Sequence, residues 1–374
     1  MQCVTPMFRL YNFSTGETVR ILPRQEVMEG LAMDPNSIRF QLSKMNSKYL
    51  DRNQLIQTIP CGNCYACKLN KSAEWATRNM LETLDHDNNY FITLTYDDYN
   101  LPIPERMEIE QPMEDGTILK YNIENDGTWI EGCLIPDHVT KFIKDIRNHF
   151  AYKGIQNIRY FYCGEYGETT HRPHYHILLY GLPMDLSQNY SYHIDENYKE
   201  HWKNPIIDKF WPYGMHDIAN IEWSSAAYVS RYTMKKIFDE PKSNLLYAQE
   251  GKIKEFVRMS RRPGIGMKYY KEHSLDIYEN DEMIMKTVKG NTGSFKPPKA
   301  FDKLFKEQYP KEWKKIEKKR KECAERSRKN SYYYSNYTDL EKLQMKAESV
   351  SLKASQLPRN GTENKARKPT KSVN

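Results

Sequence analysis

The chain has 374 residues, 39% of them hydrophobic, and its mean hydropathy is −0.83. This length allows one large domain with appendages or two domains, and it is sufficient to bury a core. No apolar run has the length of a membrane span, and Met1 to Leu10 lacks the charged and then apolar segments of a signal peptide. We therefore expect a globular protein of the cytoplasm with no membrane partner.

Positive charge is concentrated at the carboxyl end. The net charge is +7, but residues 301–374 alone contain 20 Lys and Arg against 10 Asp and Glu. A basic segment favours a polyanionic partner, because contacts to phosphate supply most sequence-independent affinity for nucleic acid. A solvated charged helix with a disordered end is the alternative. We predict an amino-terminal arm (1–71), a central domain (72–300) and a basic helical tail (301–374), with disorder from about residue 356.

The arm carries short aromatic segments typical of strands at residues 7–11 and 38–42. Three cysteines follow at intervals of three: Cys61, Cys64 and Cys67. Thiolates in a tight turn commonly bind Zn²⁺, whereas the similar iron–sulfur pattern needs a Cys where this chain has Lys71. Structural zinc is therefore predicted, with Cys3 as the fourth ligand. Reduced thiols that only pack a turn are the alternative.

The central domain begins with a predicted helix from Ser72 to about His86, followed by a strand from Tyr90 to Tyr96. Residues 103–133 are predicted to form an inserted hairpin joined through Asn125-Asp126-Gly127. An amphipathic helix capped by Asp137 comes next.

Two further strands carry the first candidate site. Ile158 to Gly164 leads directly to Glu165, and the next strand carries His174 and His176. Alternate residues of a strand share a face, so the two imidazoles lie together, and a hairpin would return Glu165 to their side. Two imidazoles and a carboxylate make a metal site with positions left open. Glu168 competes as third ligand, and either Glu could be a solvated loop residue.

The remaining elements supply phenols and cations. After a polar loop at 184–212 and a strand from His216, a helix is predicted from Ser224 or Ser225. On this helix the offsets of four and seven residues place three side chains on one face: Tyr228, Tyr232 and Lys235. Arg261 and Arg262 then precede a glycine-bearing turn, which suits a phosphate or simply packs the loop.

These segments together resemble the His-hydrophobic-His endonucleases that start rolling-circle replication, and most closely the replication initiators of small single-stranded DNA bacteriophages of the microvirus family. The resemblance covers residues 60–270 and lies in three motifs: Phe91–Tyr96, Gly164–Gly167 with Arg172–His176, and Ala226–Lys235. It implies an α+β fold, with a central antiparallel sheet, helices on one side, the His pair on a middle strand and the Tyr helix across the metal.

For function, the resemblance implies sequence-specific nicking of an origin strand with Mg²⁺ or Mn²⁺, in the host bacterial cytoplasm. Tyr228 and Tyr232 would alternate as nucleophiles, leaving a 5′-phosphotyrosine and a free 3′-OH, with Lys235 helping a phenol to lose its proton. The expected partners are single-stranded or origin DNA and the host helicase and polymerase. The predicted DNA-binding side chains are Arg172, Arg231, Lys236, Arg261 and Arg262.

Three other functions fit parts of the pattern. A relaxase or tyrosine transposase has related chemistry, although the usual relaxase order places the tyrosine before the His pair. A non-catalytic zinc-dependent nucleic-acid binder would use the basic tail alone. A metal-dependent hydrolase would attack with water and leave both tyrosines in the core or stacked on substrate.

Overall fold

The computed structural model describes a discontinuous set of residues, and the ranges that follow refer to it. These residues are 3, 7–12, 18–22, 54–62, 64–113, 117–167, 170–195, 198–237, 241–286, 292–329, 345, 348, 349 and 352. The chain divides into two compact units, Met1–Lys71 with Trp313–Leu357 and Ser72–Glu312 with Pro358–Asn374. Among the helices described, none combines the length and the apolar character needed to cross a membrane.

The strands are β1 (Met7–Asn12), β2 (Thr18–Leu22), β3 (Gln54–Ile59), β4 (Asn89–Tyr96), β5 (Arg106–Pro112), β6 (Ile118–Glu124), β7 (Arg159–Tyr166), β8 (Pro173–Tyr180), β9 (Tyr190–Ile194), β10 (Glu200–Lys203), β11 (Gly214–Asn220), β12 (Phe256–Met259), β13 (Met283–Lys286) and β14 (Thr292–Phe295). The helices are α1 (Tyr65–Thr83), α2 (Pro136–Ala151), α3 (Pro205–Phe210), α4 (Trp223–Ile237), α5 (Pro241–Gln249), α6 (Met267–Asn280), α7 (Lys299–Gln308) and α8 (Pro310–Lys329), with a 3₁₀ turn at Leu186–Gln188.

The first unit contains a three-stranded antiparallel sheet in the order β2-β1-β3. The strand predicted at residues 7–11 is confirmed by β1. The strand predicted at 38–42 and the disorder predicted from about residue 356 both lie outside the described residues.

The second unit is built around a seven-stranded antiparallel sheet in the order β12-β7-β8-β4-β11-β10-β9. The predicted α+β fold with a central antiparallel sheet is therefore confirmed. The prediction of helices on one side needs correction, because helices pack on both faces. On β8, Tyr175 and Ile177 join the apolar core that includes α2, whereas Leu178 and Tyr180 join the core that includes α4. Both faces of β7 and β8 are apolar, so each face needs a cover.

The apolar stripe of α2 behaves as its spacing predicts, and all five of its predicted core positions are buried: Val139, Phe142, Ile143, Ile146 and Phe150. Asp137 is not the cap, since it lies in the first turn after Pro136. The residue before the helix is Ile135, whose amide donates to the Tyr175 hydroxyl at 2.6 Å. A tertiary hydrogen bond thus replaces the expected side-chain cap.

Three other elements differ from the sequence prediction. The inserted hairpin pairs β5 with β6 through residues 113–117, and Asn125-Asp126-Gly127 follows the hairpin instead of joining its strands. Helix α1 begins at Tyr65, so Ser72 is a buried residue inside the helix and not its cap. The predicted polar loop at 184–212 contains β9, β10 and α3. Short or exposed strands such as β9 carry little periodic apolar signal.

Candidate active site

Strand pairing places the predicted metal ligands in neighbouring positions on one sheet face. Glu165 of β7 lies directly opposite His174 of β8, and His176 lies opposite Thr93 of β4. Ligand atoms from Glu165, His174 and His176 all lie within 4.8 Å of one another. The hairpin inferred from the sequence therefore brings these three side chains together.

The ring of His176 is held on several sides. Its Nδ1 lies 3.0 Å from Thr93 Oγ1, and its Nε2 lies 2.6 Å from Glu165 Oε1. Phe91 stacks on it, with ring centroids 5.5 Å apart and planes at 5°. A hydroxyl on the second ring nitrogen fixes the orientation and tautomer of an imidazole ligand. The sequence placed Thr93 on the neighbouring strand but did not indicate this supporting role for Thr93 or Phe91.

His174 occupies a confined position beside Gly167. Its Nδ1 is buried and has no hydrogen-bond partner among the residues described. A Cβ added to Gly167 would come within 2.9 Å of His174 Cε1, so only glycine leaves room for the ring. Burial, reinforced by the charge of His176, lowers the pKa of His174 to about 4. His174 is therefore neutral at physiological pH, the form that binds a metal.

Helix α4 brings Tyr228 to this cluster. The Tyr228 hydroxyl donates to Glu165 Oε1 at 2.7 Å, and its ring meets the His176 ring edge-on at 5.1 Å between centroids. Burial and the negative charge of Glu165 raise the pKa of Tyr228 above its ordinary value. Burial alone would raise the pKa of Glu165, but the charge and hydrogen bond of His176 lower it below its ordinary value.

The other predicted residues of α4 are described only in part. Tyr232, Lys235 and Lys236 lie within the helix, but their side chains fall outside the described part of the structure. Glu168, the competing third ligand, also falls outside it. The contact of Tyr228 with the ligand cluster is thus the part of the tyrosine prediction that the geometry addresses.

Two predicted DNA-binding arginines lie near the cluster. Arg172 forms an ion pair with Asp98 and keeps a partly exposed side chain. The guanidinium of Arg231 lies over the Tyr228 ring, 5.3 Å from its centroid, and burial lowers the pKa of Arg231. Arg261 and Arg262 are exposed and lie elsewhere, on the turn after β12. The predicted arginines therefore do not form one surface.

The predicted cysteine site is brought together within the first unit. Sulfur atoms of Cys3, Cys61, Cys64 and Cys67 all lie within 4.8 Å of one another. Cys3 Sγ is 3.5 Å from Cys61 Sγ and 3.6 Å from Cys64 Sγ, and none of the four is in a disulfide. Burial and the neighbouring thiols raise the pKa of Cys67. A cation bound by the sulfurs would reverse that effect, because a coordinated thiol loses its proton.

A third group of possible ligands was not predicted from the sequence. Ligand atoms of His193, His201 and Asp217, on β9, β10 and β11, also lie within 4.8 Å of one another. His201 Nδ1 is 2.5 Å from Asp217 Oδ2, and its ring stacks on His193. A hydrogen bond and a ring contact account for this proximity without an ion.

Comparisons with known proteins give a consistent family. Residues 89–237 match the family model described as replication-associated protein ORF2. The chain is 33% identical to the replication-associated protein ORF2 of Spiroplasma virus 4, over 87% of this chain and 88% of that protein. It is 25% identical to the replication-associated protein VP4 of Bdellovibrio phage phiMH2K, over 76% and 81% of the two chains. No solved structure matches significantly. The family match spans β4, β7, β8 and α4, the elements that carry the cluster.

Proposed function

Since this chain belongs to the family of phage replication-associated proteins, we propose that it initiates phage DNA replication by nicking one strand with a tyrosine nucleophile. The observation that supports this most directly is the 2.7 Å hydrogen bond from the Tyr228 hydroxyl to Glu165. Glu165 belongs to the cluster of two imidazoles and a carboxylate. A phenol in this position has a nucleophilic oxygen beside a cation-binding group.

The cluster fits a divalent cation. His174 is neutral, its buried Nδ1 has no partner among the described residues, and Glu165 is ionised. Carboxylate with imidazole suits Mn²⁺ or Mg²⁺, and three protein ligands leave positions for other oxygens. Held by Glu165, His174 and His176, such a cation would offset the negative charge of a phosphodiester and fix its orientation.

In the proposed step the Tyr228 oxygen attacks phosphorus and the bond to the 3′ oxygen breaks. The phosphate stays on the tyrosine as a 5′-phosphodiester, and the 3′ oxygen takes up a proton and leaves as a hydroxyl. The phenol must lose its own proton, which burial and Glu165 oppose. Lys235 on the same helix is proposed to ease that loss by placing positive charge near the phenolate.

Because one phosphodiester replaces another, the step is reversible and permits later joining of the ends. Tyr232, one turn after Tyr228 on α4, is proposed to make the second cut. The free 3′-OH would serve a host polymerase as primer, with a host helicase separating the strands. A single-stranded or locally melted origin is the proposed substrate, since a duplex backbone does not easily reach a sheet face.

We also propose that Cys3, Cys61, Cys64 and Cys67 bind a structural Zn²⁺. Four sulfurs within 4.8 Å match the ligand number of closed zinc sites. This site lies in the first unit and contributes to its folding in the proposal, with no part in the cleavage step.

The nicking proposal is tested by a covalent adduct. Single-stranded oligonucleotides tiled across the viral genome, labelled at the 3′ end, are incubated with protein and Mn²⁺ and resolved under denaturing conditions. Wild-type protein is expected to carry label, and Tyr228→Phe with Tyr232→Phe to carry none. Tyr99→Phe, at a fully exposed tyrosine, is the matched control and should label like wild type.

Two further results separate the rival chemistries. His174→Ala is expected to abolish cation-dependent labelling while the protein stays folded. Cleavage without any adduct in wild-type protein would indicate attack by water and refute the tyrosine mechanism. Undiminished adduct in the double Phe variant would refute the assignment of both residues.

A further inference from the structure

A pocket of about 520 Å³ opens at the outer edge of the central sheet, beside β12 and the first residue of β7. Five arginines line it: Arg147, Arg159, Arg258, Arg261 and Arg262. The remaining lining residues are Tyr160, Met259 and Ser260, so within the described structure no acidic side chain lines the pocket. Its lining therefore carries charge of one sign.

We propose that this pocket binds phosphate groups of the DNA backbone, as a second DNA contact away from the nicking centre. The proposal rests on the proposed function for its choice of DNA as the source of phosphate. The pocket itself requires only the shared chemistry of a phosphate, which a free phosphorylated ligand also offers.

The charge in the pocket is only partly balanced. Glu82 forms a buried ion pair with Arg159, with the two side chains 2% and 8% exposed. Four guanidinium groups remain after that pairing. Like charges gathered in one pocket repel one another, and an anion among them removes that repulsion. The planar guanidinium suits phosphate in particular, because its donors match two phosphate oxygens at once.

The turn that carries Arg261 and Arg262 is anchored from below. Arg159 donates to the carbonyl of Pro263 at 2.6 Å, and the Gly266 amide donates to Glu82 at 2.6 Å. Arg78 Nε donates to the carbonyl of Ile265 at 2.9 Å. Both terminal arginines are exposed on this fixed backbone. A fixed turn lowers the entropy lost when a ligand binds.

The other side of the pocket is anchored as well. Arg147 on α2 donates to the carbonyl of Ile158 at 2.8 Å and to Ser260 Oγ at 3.3 Å. Arg258 donates to Thr140 Oγ1 at 3.2 Å. These contacts hold two guanidinium groups at the rim without neutralising either charge. The arrangement is a pre-formed anion site and not a set of mobile surface cations.

The position of the pocket sets which DNA it reaches. Arg159 begins β7 and Glu165 lies six residues later on the same strand. At about 3.3 Å per residue the two are roughly 20 Å apart. Phosphates of one strand repeat about every 3.4 Å along a duplex, so the pocket meets DNA about six nucleotides from the nicked bond. Only DNA that extends this far beyond the nick can use the contact.

The test compares long and short DNA over a range of salt concentrations. Wild-type protein is expected to show a steeper fall of log affinity with log salt on origin DNA extending 15 nucleotides either side of the nick than on DNA extending four. Arg261→Ala with Arg262→Ala should remove that difference, because each phosphate that no longer meets an arginine lowers the slope on long DNA by about 1. At 0.1 M salt this corresponds to binding that is roughly tenfold weaker for each such phosphate.

Controls separate local contact from net charge and from folding. Lys271→Ala with Lys303→Ala removes the same charge from exposed sites of the second unit and should retain the difference between long and short DNA. Arg261→Lys with Arg262→Lys keeps the charge but not the paired donors, so an intermediate slope is expected. Thermal unfolding at an unchanged temperature confirms that the double Ala variant is folded.

Inorganic pyrophosphate, measured by calorimetry, distinguishes the two sources of phosphate. Binding that the double Ala variant loses, with an unchanged slope on long DNA, would overturn DNA as the ligand. An unchanged slope without pyrophosphate binding would overturn the phosphate site altogether. The slopes are measured without cleavage, so a missing covalent adduct would refute nicking and leave this comparison standing.

Discussion

At Glu165 a single carboxylate oxygen, Oε1, joins the proposed nucleophile to the proposed cation ligands. It accepts from the Tyr228 hydroxyl at 2.7 Å and lies 2.6 Å from His176 Nε2. Glu165 is almost fully buried, so both hydrogen bonds act at low dielectric, where they are strong. A change at Glu165 would therefore alter ligand geometry and nucleophile position together.

Two glycines of β7 and its following turn allow these effects to be separated. A Cβ at Gly167 would press on the His174 ring at 2.9 Å, whereas a Cβ at Gly164 would press on Phe256 at 2.9 Å and Leu134 at 3.1 Å. We expect Gly167→Ala to shift His174, reducing adduct formation at least tenfold and raising the Mn²⁺ concentration needed. The check is an Mn²⁺ titration of adduct yield.

Gly164→Ala is the matched control, because its added methyl group meets the core. Overpacking there should cost about 1–3 kcal/mol in the free energy of unfolding, measured with urea, while the Mn²⁺ requirement stays as in wild type. If Gly167→Ala destabilised the fold equally and left the Mn²⁺ requirement unchanged, the confinement of His174 would have no role in cation binding.

Sequence alone predicted the ligand residues because a strand has a strict period of two. That period placed His174 and His176 on one face, and the hairpin rule returned Glu165 to them. The pocket arginines were less accessible to such reasoning. Arg147, Arg159 and Arg258 come from three separate elements, and only the fold brings them beside the predicted pair Arg261 and Arg262.

At the scale of elements, periodic signals succeeded and local turn signals failed. The five apolar positions of α2 predicted its buried face, whereas Asn125-Asp126-Gly127 was wrongly taken as the hairpin turn. In the structure the Asn125 side chain accepts from the amides of Gly127 and Trp129, which makes a local turn after β6. Asn and Asp favour such turns wherever a strand ends, so they do not specify which turn reverses the chain.

The ion pair between Glu82 of α1 and Arg159 of β7 holds the arginine-bearing turn and gives a prediction for stability. Burial would raise the pKa of Glu82, but hydrogen bonds from His86 and Gly266 and the charge of Arg159 lower it below its ordinary 4.5. A depressed folded-state pKa stabilises the protein above pH 4.5, and this stabilisation is lost as the pH falls through the folded pKa.

Glu82→Gln is therefore expected to cost about 3–5 kcal/mol in the free energy of unfolding at pH 7, because it leaves Arg159 buried without a counter-charge. The difference from wild type should shrink below pH 4.5, as Glu82 becomes protonated in wild-type protein. Urea unfolding at pH 7 and pH 4 measures it. Glu110→Gln, in an exposed pair with Lys120, should change stability by less than about 1 kcal/mol. An equal deficit at both pH values would contradict the linkage.

At the scale of the whole molecule, the two proposed metal sites belong to different compact units. Glu165, His174, His176 and Tyr228 lie in the second unit, and the four cysteines lie in the first. The sequence predicted both ligand sets, but the inclusion of residues 313–357 in the first unit had no local signal in the sequence. Contacts between segments so distant in the chain depend on tertiary packing that periodicity does not report.

This division predicts that loss of the cysteine-bound metal affects one unit selectively. Four sulfurs within 4.8 Å are held together at high thiol pKa unless a cation is present, so metal binding and folding of the first unit should be linked. Cys67→Ser is expected to lose zinc, about one ion per chain, and to lower one unfolding transition by roughly 10 °C, the effect of about 2 kcal/mol in a domain of this size. Cys323→Ser, at an exposed cysteine of the same unit, should retain both zinc and transition. Zinc content measured by atomic absorption, with calorimetry of both variants, decides it: equal zinc in Cys67→Ser and wild type, or none in wild type, would refute the site.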